Sequence, residues 1–230
     1  DPVIWTHEFP LAEPDAPASR VVAWFSMEVA LSAGIHTYSG GLGVLAGDLL
    51  RSAADLEVPL VAVSLVSSEG YFRQRLDGDG QHEAPDPWRP WDYAERTDAV
   101  VQVQIQRRIV RVGAWRTWVT GARGAVPVLL LDTDQDGNDP TDRAITRRLY
   151  GGDAEDRLAQ EIVLGVGGAR MLAALGYDQI RRWHMNEGHA ALLGVELLRH
   201  RRETVGGEWD FDAVRNRCVA AVGRGGEGEG

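Results

Sequence analysis

The stretch YSGGLGVLAGDLL, residues 38–50, sets three glycines (Gly40, Gly41 and Gly43) side by side and then turns apolar. Leu42, Leu45, Ala46, Leu49, Ala53 and Leu56 recur at three- and four-residue spacing, the pattern of one face of a helix. The spacing predicts a glycine turn opening a helix, with helix over 43–56. Such a turn leaves backbone N–H groups unpaired at the positive end of the helix dipole, where an anion is favoured.

The flanks decide the fold class. VVAWFSM (21–27) and PLVAVSLV (59–66) read as buried strands on either side of that helix. Strand, helix, strand in that order predicts a mainly parallel α/β sheet. VVQVQIQ (100–106) and IVRVGAWRTWV (109–119) alternate apolar and polar across a break at Arg107-Arg108, which predicts an antiparallel pair beside the main sheet. VPVLLL (126–131) is a further buried strand, followed by the acidic loop DTDQDGNDPTD. A helix is predicted over 154–175 with Gly176 as its cap, then a strand over 180–185, the turn NEGH, and a helix over 188–202. The Pro/Gly/Asp-rich segment 77–92 reads as a loop on the rim of a site.

Composition excludes several functions. A net charge of −10 argues against a non-specific nucleic-acid binder. No apolar run is long enough for a membrane span, and DPVIWTHEFP lacks a signal-peptide pattern. One cysteine, Cys218, forms no internal disulfide and suits a reducing, cytoplasmic setting. All 24 basic residues are arginine, and lysine is absent. The chain begins without methionine and ends in GRGGEGEG, and so reads as cut at both ends.

Four local motifs carry chemistry-bearing residues. Residues 41–46, GLGVLA, match the dinucleotide pattern G-x-G-x-x-G/A, but the preceding strand ends near Met27, too early for a strand-to-helix phosphate turn. Asp132, Asp134, Asp136 and Gly137 open like a calcium loop, yet the twelfth position is Arg143 instead of a bidentate Glu. His184, Glu187 and His189 match none of the helical zinc spacings. Asn186, Glu187 and His189 share one turn at a strand's carboxyl end, where α/β sheets bind ligands; a polar-ligand site and simple helix capping both fit.

Taken together, six stretches resemble the α-glucan (glycogen, starch and maltodextrin) phosphorylases, in particular their shorter bacterial form. They are AWFSMEVAL (23–31), YSGGLGVLAGDLLRSAADLEVPLVAVSL (38–65), EGYFRQRLDGDGQHE (69–83), LLLDTD (129–134), RLYGGDAEDRLAQEIVLGVGGARMLAALG (148–176) and WHMNEGHAALLGVELL (183–198). The resemblance implies a Rossmann-like N-terminal lobe of a two-lobed glycosyltransferase, with residues 1–218 as part of that lobe and 219–230 as a glycine-rich tail outside the family pattern. It implies phosphorolysis of terminal α-1,4-glucosyl bonds by inorganic phosphate, giving glucose 1-phosphate, with pyridoxal phosphate as cofactor.

Carried onto this sequence, the resemblance assigns Gly40, Gly41 and Leu42 to phosphate and glucosyl binding through their backbone N–H groups. It assigns Asn186, Glu187 and His189 to the glucosyl pocket, and Tyr150 to Asp153 to a flexible gate over the site. The expected partners are an α-1,4-glucan and phosphate, with no nucleic acid and no membrane; an oligomer is compatible. Three departures stand out. Ser67-Ser68 replaces a bulkier pair before the GYF turn, CVAAVGRGGEGEG replaces the segment carrying a sugar-contacting histidine, and the cofactor lysine has no counterpart. An inert remnant that binds glucan or phosphate weakly, and a nucleotide-sugar glycosyltransferase, are the competing readings.

Overall fold

The computed structural model describes residues 17–206 and 208–221. The expected tail over 219–230 therefore lies outside the described residues from residue 222 onward. The central strand is β1 (Val22–Phe25), buried along its whole length. It runs parallel to β2 (Leu60–Leu65) on one side and to β9 (Arg182–Asn186) on the other. Beyond β2 lies β8 (Ala125–Asp132), and beyond β9 lies β10 (Cys218–Ala221), both parallel. Four successive parallel pairings need apolar residues on both faces, which is why β1, β2 and β8 read as unbroken apolar runs.

The sheet continues with antiparallel pairing. β7 (Arg108–Thr120) pairs β8, and the short β5 (Glu95–Arg96) and β6 (Val101–Ile105) pair β7. The expected pair of alternating strands is thus present, with Gln106-Arg107 as its turn and Gln106 at φ 54°.

Helices cover both faces. α1 (Gly41–Asp55) connects β1 to β2 and packs Ala46, Leu50 and Ala53 against Trp24, Ala62 and Leu130. It begins two residues before Gly43, and its buried face (Gly43, Ala46, Gly47, Leu50, Ala53 and Ala54) is rotated from the stripe read in the sequence, for Ala46 and Ala53 are buried but Leu45 and Leu56 are exposed. On the other face, α3 (Ala154–Ile162) and α4 (Gly168–Ala174) pack onto Phe25, Val63 and Leu131. α3 has a full capping box, in which Asp153 accepts from the N–H groups of Glu155 and Asp156. α5 (Leu192–Val205) follows a 3-10 turn at Gly188–Ala190, so the helix proper starts later than expected.

Two features depart from the sequence reading. The segment 77–92 is not all loop, because β3 (Arg73–Asp77) and β4 (Gly80–Ala84) form a separate antiparallel hairpin. β4 is largely exposed, so no apolar alternation marked it. The helix expected over 154–175 is interrupted by a π-helical stretch at Val163–Gly167. There α5 approaches so closely that a Cβ on Gly165 would sit 2.5 Å from the backbone nitrogen of Leu193.

That approach gives a test. Gly165→Ala should lower stability by about 1–3 kcal/mol through overpacking, despite the better helix propensity of alanine. Gly194→Ala, where nothing lies within 4 Å, should be neutral or stabilising by up to about 1 kcal/mol. Urea unfolding of the two variants beside the parent reads both signs.

Candidate functional site

All five parallel strands, β10, β9, β1, β2 and β8, end on the same edge of the sheet. At β1 and β9 the following segments leave on opposite faces. α1 after β1 joins the Trp24 cluster, whereas Ala190 and Leu193 after β9 join the Phe25 cluster. This is a topological switch point, where open α/β sheets bind ligands. Asn186, buried at the end of β9, bridges the two strand ends by donating from Nδ2 to Ser26 Oγ at 3.0 Å. Ser26 Oγ in turn donates to the Glu28 carbonyl at 2.8 Å.

Glu28 is the residue that sequence reasoning missed. It follows β1, is 3% exposed, and fills the gap between the strand end and the glycine turn. Its Oε2 accepts from Ser39 N–H at 2.6 Å, from Ser39 Oγ at 3.1 Å and from Gly40 N–H at 3.4 Å. Its Oε1 accepts from the Tyr150 hydroxyl at 3.2 Å. Gly43 makes room for it, since a Cβ there would lie 3.0 Å from Glu28 Oε2 and 2.4 Å from Tyr38 Cβ. A carboxylate one residue beyond a buried apolar run was the available signal.

The expected cradle of N–H groups is therefore divided. Ser39 and Gly40 direct theirs to the protein's own carboxylate. Gly41 and Leu42 belong to the first turn of α1, whose N–H groups have no intrahelical acceptor. Gly41 is exposed with nothing within 4 Å of an added Cβ, and Leu42 is half-buried. An anion at this helix end meets these two groups first.

Tyr150 ties the second turn to the first. Its ring centroid lies 5.3 Å from that of His189 and 6.3 Å, edge-on, from that of Tyr71. Burial, then the charge and hydrogen bond of Glu28, and also the charge of Glu187, push its phenol above the ordinary value. It stays protonated at neutral pH and acts as a donor. Gly40, Glu28, Tyr150 and His189 thus form one continuous set of contacts. Glu187 adjoins them in a costly backbone conformation, φ 66° and ψ 177°, a region that is essentially glycine-only. The buried Nδ1 of His189 has no hydrogen-bond partner among the described residues.

The other sequence candidates serve the fold. Asp132 accepts from Trp115 Nε1 at 2.8 Å and from Asp134 N–H at 2.8 Å, while Asp134 pairs with Arg143 and Arg147. Among the described residues, no cluster of His, Cys, Asp and Glu is arranged to hold a metal. His184 stands beside Trp24 with ring centroids 6.3 Å apart, and burial lowers its pKa, favouring the neutral ring. A cavity of about 600 Å³ lies elsewhere, against α4 and α5, but its Arg170 and Arg199 are already paired with Glu196.

A family model described as carbohydrate phosphorylase matches residues 32–149, which include the glycine turn and α1. The chain belongs to the carbohydrate phosphorylase family. It is similar to a glycogen phosphorylase of Mycobacterium tuberculosis, 44% identical over 86% of this chain and 24% of that protein. It is also similar to a maltodextrin phosphorylase of Thermococcus litoralis, 39% identical over 77% of this chain and 22% of that protein. A glycogen phosphorylase of Aquifex aeolicus is 34% identical over 76% of this chain. The chain thus spans about a quarter of the length of these curated relatives. No helix among the described residues is long and apolar enough to cross a membrane.

The strain at Glu187 is measurable. Glu187→Gly should be more stable than Glu187→Ala by about 1–3 kcal/mol, because only glycine relaxes there. Equal stability of the two variants in chemical denaturation contradicts the strained backbone.

Proposed function

We propose that this chain is the glucan-side portion of an α-glucan phosphorylase, holding the terminal glucosyl residue and one face of the substrate phosphate. One observation carries the reading. The open N–H groups of Gly41 and Leu42 and the turn Asn186–His189 meet around Glu28 and Tyr150 at the sheet's switch point. The names of the relatives, glycogen and maltodextrin phosphorylase, supply the substrate class.

In the proposed reaction a phosphate oxygen bonds to the anomeric carbon of the terminal glucosyl residue. The bond from that carbon to the neighbouring sugar's oxygen breaks, and that oxygen takes the proton carried by the attacking phosphate. Positive charge develops on the sugar while the phosphate is negative, so fixed dipoles on one side and carboxylates on the other stabilise the pair. The start of α1 faces the phosphate, a helix end contributing about 0.3–1 kcal/mol. Glu187 lies on the sugar side, and His189 Nδ1 and Asn186 are the groups assigned to its hydroxyls.

Pyridoxal phosphate, when bound in this family, supplies a phosphate group that exchanges a proton with the substrate phosphate. The residues of this chain do not fit its attachment. Holding the cofactor as a Schiff base needs a lysine amine, and every basic residue here is arginine. No step is assigned to it through this chain. We place its attachment on a second lobe that residues 1–218 do not contain, and assign the protein to the cytoplasm, in keeping with a single cysteine.

Incubated with glycogen, inorganic phosphate and pyridoxal phosphate, the isolated chain should release no glucose 1-phosphate above the blank. Residues 17–218, grafted over the aligned segment of the Mycobacterium tuberculosis enzyme, should support phosphorolysis. His189→Ala in that graft should lower kcat/KM on the order of tenfold or more. Turnover by the isolated chain, or a graft indifferent to His189, overturns the reading.

A further inference from the structure

We propose that the cavity against α4 and α5 is a separate binding site, one that takes a flat aromatic anion. It lies at the opposite edge of the sheet from the glycine turn. Trp183, the second residue of β9, lines it, whereas Asn186 at the far end of β9 belongs to the candidate site. The proposal goes beyond the phosphorylase reading and does not depend on it.

Three observations carry it. First, the cavity holds about 600 Å³, inside the range of roughly 300–1,000 Å³ typical of pockets for compact organic ligands. Ala169 from α4, Leu197 from α5, Ile180 ahead of β9 and Val214 from the short helix Phe211–Arg215 give it apolar walls. The rings of Tyr177 and Trp183 complete them, and aromatic walls favour an aromatic body. Second, Trp183 is 8% exposed, and its Nε1 has no acceptor among the described residues. An indole N–H only donates, so a partner for it must bring an acceptor. Third, four arginines line the cavity, and three of them are committed. Arg170 and Arg199 pair with Glu196, and Arg201 pairs with Asp210. Arg217 has no carboxylate partner among the described residues; its Nη2 donates to the Ile180 carbonyl, which anchors the guanidinium at the cavity.

These groups divide the recognition between them. The walls reward a ring body that leaves water. The indole N–H and the Arg217 guanidinium both ask for acceptors, and the guanidinium favours a charged one. The Glu196 ion pairs hold α4 and α5 at a fixed separation, so the walls are formed before any ligand arrives. One group opposes an anion. Asp178 also lines the cavity, and its carboxylate accepts only from the amide of Gln179 among the described residues.

Two probes on the 230-residue chain test the site: anilinonaphthalene sulfonate, and phenylnaphthylamine, which is the same ring system without the sulfonate. Binding is followed at the indole N–H resonance of Trp183, identified by its loss in Trp183→Phe. The sulfonate should shift that resonance saturably and bind on the order of tenfold more tightly than the uncharged probe. Arg217→Ala should remove most of that difference, and Asp178→Asn should tighten the sulfonate roughly twofold or more at low salt. Ala173 is exposed on α4 and lines the cavity, so Ala173→Trp adds bulk from the solvent side and should abolish the shift while leaving the fold intact. Equal affinity for the two probes, indifference to Arg217→Ala, or a Trp183 shift that survives Ala173→Trp overturns the proposal. So does a Trp183 resonance that neither probe moves. Arg217 and Ala173 are both exposed, so neither variant puts folding at risk.

Discussion

A carboxylate taken out of water must be surrounded by donors, and the site is organised by that requirement at Glu28. Two backbone N–H groups, a serine hydroxyl and a tyrosine hydroxyl converge on it from segments far apart in sequence. Each donor satisfies a group whose burial alone is costly. The result fixes the glycine turn relative to the end of β1, and through Tyr150 fixes it relative to the turn after β9.

The glycines of α1 serve this close approach more than they serve flexibility. A side chain on Gly43 would meet Tyr38 and Glu28, and one on Gly47 would sit 2.2 Å from the Ala30 carbonyl. The helix can therefore lie against the loop after β1, and its N-terminus comes to the switch point of the sheet. Positive φ at Tyr150 and Glu187 falls at the same place. Each such conformation costs on the order of 1–3 kcal/mol and persists where its surroundings over-determine it.

Much of the architecture was legible in the sequence. β1, β2 and β8 are apolar on both faces because they are covered on both faces; α1 was legible as a helix, but its buried face centres on Ala46, Leu50 and Ala53 and leaves Leu45 and Leu56 exposed. The hairpin of β3 and β4 was not legible, since strands exposed to water need no apolar alternation. Nor was the π-helical stretch, where Gly165 packs closely against α5. Asn186, Glu187 and His189 were candidates from their place at a strand end and from family resemblance, and the structure sets His189 against Tyr150 and Asn186 against Ser26. For Glu28 the only local signal was a carboxylate just beyond a buried apolar run, since its partner Tyr150 lies 122 residues away.

The central claim is that the start of α1 and the turn after β9 form one anion-and-sugar site. The most direct measurement is a titration of the isotopically labelled chain with inorganic phosphate, followed by backbone amide chemical shifts. The account predicts saturable shifts at Gly41 and Leu42, with smaller ones at Glu187 and His189 across the Glu28–Tyr150 bridge. Shifts confined to surface arginines, or none at the glycine turn at saturating phosphate, would contradict it.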